Sequence, residues 1–182
     1  MPSMRKPNLM EECRSKYGDS KYFLITFAPN KQYIYCLHKD RCFCGNAPSL
    51  SVVANCYGRD TAELFIGAQI KDLMEYTGCK DKLTIMQIDA VSRVIVSQYY
   101  YLKTTEIMYF FFLFKGGHFG EFYGAVDTIA ITKALHEFLK FRNETIDTIE
   151  RQRKQDEFLQ NKESYSSNAI TYEEWVKKRG EY

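Results

Sequence analysis

Apolar residues recur at helical spacing through the middle of the chain, which predicts a succession of amphipathic helices. The first is predicted to begin at a capping box of Asp60 and Glu63 and to end at Gly78. A second capping box, Thr84 and Gln87, predicts the start of the next helix. The apolar faces of these two helices comprise Ala62, Ile66, Ile70, Leu73, Ile88, Val91, Ile95 and Tyr99.

A third helix is predicted to begin near Thr104 and to end at Gly116. Its apolar face is mostly aromatic, and burial of each large ring contributes about 1.5–3 kcal/mol, which favours a role in the core. Tyr109 and Phe112 fall off this face, so they would meet another helix or form an exposed contact patch. The face itself comprises Ile107, Phe110, Phe111 and Phe114.

The last long helix is predicted to begin at its cap, Asp127, and to continue to about residue 149. Residues 151–168 then alternate in charge sign and become Ser-rich, which predicts an exposed helical extension followed by a linker. A further capping box, Thr171 and Glu174, precedes a short helix with the only tryptophan, Trp175.

The N-terminal end has a different pattern. Residues 8–18 predict a short helix that a glycine closes. Residues 21–37 place two β-prone runs around Pro29-Asn30-Lys31, which predicts a small β-hairpin. A brief helix follows between Ser49 and Gly58.

These patterns predict a mainly α fold, in which a bundle of about four core helices carries an N-terminal helix and a small β-hairpin. At 182 residues and 45% hydrophobic, the chain is long enough for one domain with a sizeable core. We divide it into residues 1–48 (helix and hairpin), 49–150 (helical core) and 151–182 (exposed extension, linker and short C-terminal helix).

The longest apolar run, Ile107 to Phe114, has eight residues, whereas a membrane-spanning helix needs about 20. The first residues have no apolar segment of the kind that directs secretion. The six cysteines are then expected to be reduced thiols, and the protein is expected in the cytoplasm without a membrane partner.

Net charge is only +2, but residues 1–45 carry eight Lys/Arg against four acids. Within this region Lys31, Lys39 and Arg41 are interleaved with aromatic residues, a combination that single-strand-binding proteins use. The alternative is a hairpin that buries its aromatic residues on one face and exposes the lysines on the other.

The glycine loop, residues 116–124, follows the aromatic helix directly. One interpretation is a connector whose aromatic side chains plug the end of the bundle. The other is a nucleic-acid contact, with Lys115 on a phosphate and His118, Phe119 or Tyr123 stacked on a base.

Four potential zinc ligands, Cys36, His38, Cys42 and Cys44, lie within nine residues. Their C-x-H and C-x-C spacings leave little chain to wrap one ion, so free thiols are expected and neither a metal nor another cofactor. No catalytic motif is evident, and a non-enzyme is expected, although active residues can come from distant parts of a chain.

Three blocks of sequence carry a family resemblance: GCKDKLTIMQIDAVSRVIVSQYYYLKTTEIMYFF, FKGGHFGEFYG and VDTIAITKALHEF, with Arg142 shortly after. Residues 59–142, a little under half of the chain, resemble an uncharacterised family associated with Bacteroidota and their phages and mobile elements. Some of its relatives look like replication-associated proteins of mobile elements. The resemblance implies a context in DNA metabolism and assigns no catalytic residue.

The sequence thus predicts a non-enzymatic accessory protein of DNA replication or mobile-element metabolism that binds DNA or a replication protein. The alternative is a protein-interaction module, of phage origin, that engages a host factor through Phe112, Trp175 and the C-terminal helix.

Overall fold

A computed structural model describes residues 9–78, 81–120 and 126–168, together with residues 175, 176 and 179. Contacts divide the chain into two units, Met1–Arg142 and Asn143–Tyr182. The described residues form helices and no strand, so the mainly α prediction is confirmed. The helices are α1 (Leu9–Tyr17), α2 (Ser20–Thr26), α3 (Ile34–Leu37), α4 (Lys39–Cys44), α5 (Leu50–Tyr57), α6 (Arg59–Thr77), α7 (Ile85–Gln98), α8 (Thr104–Lys115) and α9 (Thr128–Asn168), with a 3-10 turn at Pro29–Lys31.

The predicted β-hairpin is wrong, because its residues form α2, the 3-10 turn and α3. The Asp19 side chain accepts a hydrogen bond from the Tyr22 N–H at 2.8 Å and so caps α2. Phe23 and Phe27 are both buried, with ring centroids 5.0 Å apart. Their spacing of four residues keeps two side chains on one face of a helix and also on one face of a strand, so it did not discriminate between the two.

The starts and ends of the central helices follow the predicted capping residues in most cases. Ser49 caps α5, Thr84 and Gln87 form the predicted capping box of α7, and Gly78 ends α6 in the left-handed conformation. The predicted box at the start of α6 is wrong, because α5 runs almost directly into α6 and Gly58, at φ 96°, occupies the cap position.

The core of the first unit lies around α8. Almost the whole of this helix is buried, including Tyr109, which meets another helix, the first of its two predicted alternatives: its ring centroid lies 5.8 Å from that of Phe43 of α4. Burial raises the pKa of Tyr109 to about 12. The neighbouring rings of Phe110 and Phe138 lie 5.4 Å apart, which joins α8 to the first part of α9.

The N-terminal ends of α5 and α8 lie side by side. The Leu50 N–H donates to Leu102 O at 2.9 Å, and the Thr104 N–H donates to Pro48 O at 2.9 Å. These bonds satisfy backbone donors that a helix start leaves without an intrahelical partner. The arrangement fixes the first turn of α8 inside the protein.

Helix α9 begins at its predicted cap, since Asp127 accepts the Ala130 N–H. It continues to Asn168, through the stretch predicted as a linker. Ile149 is half-buried, and the side chains of residues 150–163 are exposed. Thr171 and Glu174 lie outside the described residues. Among the described helices, none combines the length and apolarity that a membrane crossing requires.

Candidate functional site

The described part of the glycine loop forms a tight turn at the end of α8. Gly117 has φ 78° and Gly120 has φ 117°, conformations that residues with a side chain rarely adopt. The His118 N–H donates to Leu113 O at 3.2 Å, which closes the turn back onto the helix. His118 is exposed, and Tyr123 lies outside the described residues.

Lys115 lies at the end of α8 and is already paired. Its Nζ forms a salt bridge with the Asp72 carboxylate of α6 and lies 5.5 Å from the centre of the Tyr76 ring. The same carboxylate accepts a hydrogen bond from Gln32 at 3.4 Å. A phosphate at Lys115 would therefore compete with Asp72 for the ammonium group.

Phe119 is half-buried and packs among other rings. Its ring centroid lies 6.0 Å from that of Phe110, 5.9 Å from that of Phe138 and 6.4 Å from that of Phe141. This packing agrees with the interpretation of the loop as an aromatic plug, and it leaves only part of the Phe119 ring for a base.

Residues 20–44, here called the basic aromatic segment, present some aromatic side chains to solvent and bury others. Phe23 and Phe43 are buried in the core, whereas Tyr22 and Tyr33 are 58% and 57% exposed. The two tyrosines come from α2 and from the residue just before α3. The segment therefore offers two aromatic faces that the core does not use.

The cations of the basic aromatic segment differ in their surroundings. Lys31 is half-buried, and its Nζ donates to Ile25 O at 2.9 Å. Lys39 and Arg41 are exposed on α4, and neither forms an ion pair with a described residue. Their charges are available to an anion in solution.

The four weak zinc candidates do not converge. Cys42 is buried, Cys36 and Cys44 are half-buried and His38 is exposed. Among the described residues, no group of three or more His, Cys, Asp or Glu side chains is placed to hold a metal ion. The Cys42 Sγ instead donates to Thr105 O at 3.4 Å.

The two predicted partner-binding residues belong to different units. In the first, Phe112 is half-buried on α8. In the second, Trp175 is 43% exposed, and the Arg179 guanidinium lies 4.8 Å from the centre of its ring.

A buried charged cluster at the start of α8 was not predicted. Glu106 is fully buried, its carboxylate accepts the Lys103 N–H at 2.9 Å, and Arg142 of α9 donates to it at 2.9 Å. Burial raises the pKa of Glu106, while the Lys103 backbone bond and then Arg142 lower it. The spacing of Lys103 and Glu106 is the one signal in the sequence, since a glutamate at the third helical position commonly caps a helix start.

The same cluster holds α4 in place. The Lys103 Nζ donates to Phe43 O at 2.7 Å and to Gly45 O at 2.9 Å, at the C-terminal end of α4. The Thr105 hydroxyl donates to Cys42 O at 2.8 Å. A cation at the carbonyl end of a helix is favourable, so Lys103 positions the helix that displays Lys39 and Arg41.

A second buried polar group, also unpredicted, positions the middle of the basic aromatic segment. Gln32 Nε2 donates to Gln69 Oε1 at 2.6 Å, and Gln69 Nε2 donates to Phe27 O at 3.1 Å. Both amides are buried: Gln32 directly follows the 3-10 turn, and Gln69 lies on α6. They link the segment to the core between its two exposed tyrosines.

The chain belongs to a family of unknown function, DUF6633, which matches residues 82–181, a little over half of the chain. The matched range contains α7, α8, the glycine loop and α9, whereas the basic aromatic segment precedes it. No curated protein and no solved structure matches the chain. The predicted membership of an uncharacterised family is confirmed to this extent.

Proposed function

We propose that this member of the DUF6633 family is a non-enzymatic accessory protein of DNA metabolism that binds single-stranded DNA through the basic aromatic segment. The observation that carries the proposal is the joint exposure of Tyr22 on α2, Tyr33 just before α3, and Lys39 and Arg41 on α4. We place it in the cytoplasm of a bacterium, in the context of replication or of a phage or mobile element.

Charge supports a nucleic-acid ligand for this segment. Residues 20–44 contain four Lys/Arg and one acid, Asp40, which gives +3, while the whole chain carries +2. The remaining residues therefore sum to −1. Positive charge concentrated in 25 residues is what attracts a phosphate backbone to one region of a protein.

The two exposed tyrosines support a single strand over a duplex. Stacking of a base on an aromatic ring contributes about 1–3 kcal/mol, and it needs bases that are not already stacked on their neighbours in a duplex. Hydrogen bonds from Lys39 and Arg41 to phosphates would fix the strand while Tyr22 and Tyr33 contact its bases.

Replacing Tyr33 by alanine should weaken the binding of labelled single-stranded DNA about tenfold, because one stacking contact is lost. Fluorescence anisotropy at low salt measures the change. Tyr100→Ala is the matched control, since Tyr100 is exposed to the same degree, 56% against 57%, but lies after α7. Equal weakening by both variants would exclude a specific role for Tyr33.

The cationic part of the proposal has its own control. Lys39→Ala should weaken binding and reduce its dependence on salt, whereas Lys71→Ala, which removes an exposed lysine from α6, should change neither. If both lysine variants bind as the unaltered protein does, the segment is not the binding surface.

A second candidate function is a protein-interaction module, of phage origin, that engages a host factor. Its support is the exposure of large apolar side chains in the second unit, where Phe158, Leu159 and Trp175 are all more than two-fifths exposed. Phe112 would contribute from the first unit only through its exposed part.

Deleting residues 164–182 should abolish partner capture under this second function and leave DNA binding unchanged. The core residues of the first unit all precede residue 164. The truncated chain should therefore keep its helical circular-dichroism spectrum, apart from the contribution of the removed residues. Affinity capture with the full chain and the truncated chain makes the comparison. Identical sets of captured proteins would contradict the interaction function.

A further inference from the structure

Two cysteines meet between α1 and α5, at a place that the proposed DNA surface does not use. Cys13 and Cys56 are each 4% exposed, and both are free thiols. Tyr57 donates through its hydroxyl to Cys13 O at 3.3 Å and accepts from the Cys13 Sγ at 3.8 Å. Burial, then Cys13 and then Cys56 raise the pKa of the Tyr57 hydroxyl, so both cysteines lie near this group.

The backbone around the two thiols is fixed from both sides. The Cys56 Sγ donates to Met10 O at 3.6 Å, one turn before Cys13, and the Arg14 guanidinium donates to Cys56 O at 2.9 Å. These bonds hold the face of α1 that carries Cys13 against the end of α5 that carries Cys56. A disulfide between Cys13 and Cys56 needs their two α-carbons within about 7 Å of each other, and these bonds keep α1 and α5 adjacent.

We propose that Cys13 and Cys56 are a redox pair, which a hydroperoxide converts into a reversible disulfide that joins α1 to α5. One thiolate attacks the peroxide O–O bond, which breaks and leaves a sulfenic acid. The second thiol then displaces water and forms the S–S bond. Two sulfurs lose two electrons in all, and hydrogen peroxide is reduced to two waters.

The rate of this reaction is set by the docking of α1. Burial raises the pKa of the Cys13 thiol, the Tyr57 hydrogen bond lowers it, and Cys56 raises it further. Since the thiolate is the reactive form, the docked pair reacts slowly. Helix α1 has only nine residues, of which two are buried, and its transient opening exposes both thiols to peroxide.

The disulfide joins the two ends of a long segment, residues 13–56. This segment contains α2, α3 and α4, so the disulfide links the helices on either side of them, α1 and α5. Closing a loop of this length removes conformational freedom from the unfolded chain and stabilises the folded one. Reduction by a thiol such as dithiothreitol reverses the change.

Mass mapping of the peroxide-treated full chain tests the pairing. Trypsin leaves Cys42, Cys44 and Cys56 on one peptide, whereas chymotrypsin, which cuts after Tyr17, Leu50 and Tyr57, separates Cys56 from the others. After alkylation of the remaining thiols, the expected product is a Cys13 peptide linked to a Cys56 peptide. Recovery of both cysteines alkylated, over-oxidised or linked to other cysteines would overturn the proposal.

Thermal unfolding provides a second readout. Oxidation should raise the Tm by roughly 5 °C or more, and dithiothreitol should remove the increase. Cys56→Ser should abolish the shift, while Cys36→Ser, which removes a half-buried thiol of α3, should retain it. A shift that persists in Cys56→Ser would overturn the proposal, and if that variant does not fold, the mass map of the unaltered chain decides alone.

Discussion

Replacing Arg142 by alanine should lower the free energy of unfolding by about 3–5 kcal/mol near neutral pH, because it leaves the buried Glu106 carboxylate without its cationic partner. Glu106 is fully buried, and the remaining bond to its carboxylate comes from the Lys103 N–H. Lys103 is then the remaining cation that acts on the carboxylate, and its charge lowers the pKa of Glu106 less than Arg142 does. Denaturant unfolding measures the loss.

The loss should depend on pH in a defined direction. Burial already raises the pKa of Glu106 above its ordinary value of 4.5, and removal of Arg142 raises it further. A group with a raised pKa in the folded state stabilises that state below its unfolded pKa, and this contribution is lost as pH rises through the folded pKa. The Arg142→Ala deficit should therefore be smaller near pH 5 than near pH 8.

Arg153→Ala is the matched control, since it removes an exposed arginine from the same helix. Its effect on the free energy of unfolding should stay within about 0.5 kcal/mol at every pH. A deficit in Arg142→Ala that is no larger than this control, or that grows as pH falls, would contradict the role assigned to the Glu106–Arg142 pair.

Replacing Phe138 by alanine should also lower the free energy of unfolding by about 3–5 kcal/mol. Phe138 is fully buried, and its ring centroid lies 6.3 Å from that of Phe43, 5.4 Å from that of Phe110 and 5.9 Å from that of Phe119. One substitution thus removes contacts with α4, α8 and the glycine loop together. The residual cavity adds to the lost burial of the ring.

Phe158→Ala serves as the control for Phe138→Ala, because Phe158 lies on the same helix and is 68% exposed. Its effect on the free energy of unfolding should be small. Hydrogen exchange of the α8 amides adds a local measure. In Phe138→Ala these amides should exchange faster than in the unaltered protein, under conditions where the protein remains folded. Equal stability of the two variants would mean that the packing of Phe138 against Phe43, Phe110 and Phe119 does not stabilise the first unit.

The sequence predicted the long helices well where a cap and an apolar face agree. Thr84 and Gln87 are within three residues of each other, and the capping box they form needs no distant partner. The failure at residues 21–37 has a physical cause, because aromatic residues spaced by four fit both periodicities. The overlooked sign was Asp19, an aspartate placed to cap the first turn of α2.

The surroundings of the candidate site residues depend on contacts that no local pattern shows. Lys115 is paired with Asp72, 43 residues earlier, and Glu106 with Arg142, 36 residues later. From the sequence, a lysine beside a glycine loop suggests a phosphate ligand. The structure shows that the Asp72 carboxylate already occupies the Lys115 ammonium group. The exposure of Tyr33 could likewise be learned only from the structure, because the sequence does not distinguish it from the buried aromatic residues of the same segment.

The central claim, that the basic aromatic segment binds single-stranded DNA, is tested most directly by a salt titration of labelled single-stranded DNA with the full chain. Each phosphate contact contributes about 0.7 to the steepness of log affinity against log salt, so contacts from Lys39 and Arg41 predict a slope of about −1.4. Duplex DNA of the same length should bind more weakly. Absence of binding at low salt, or binding that salt does not weaken, would contradict the account.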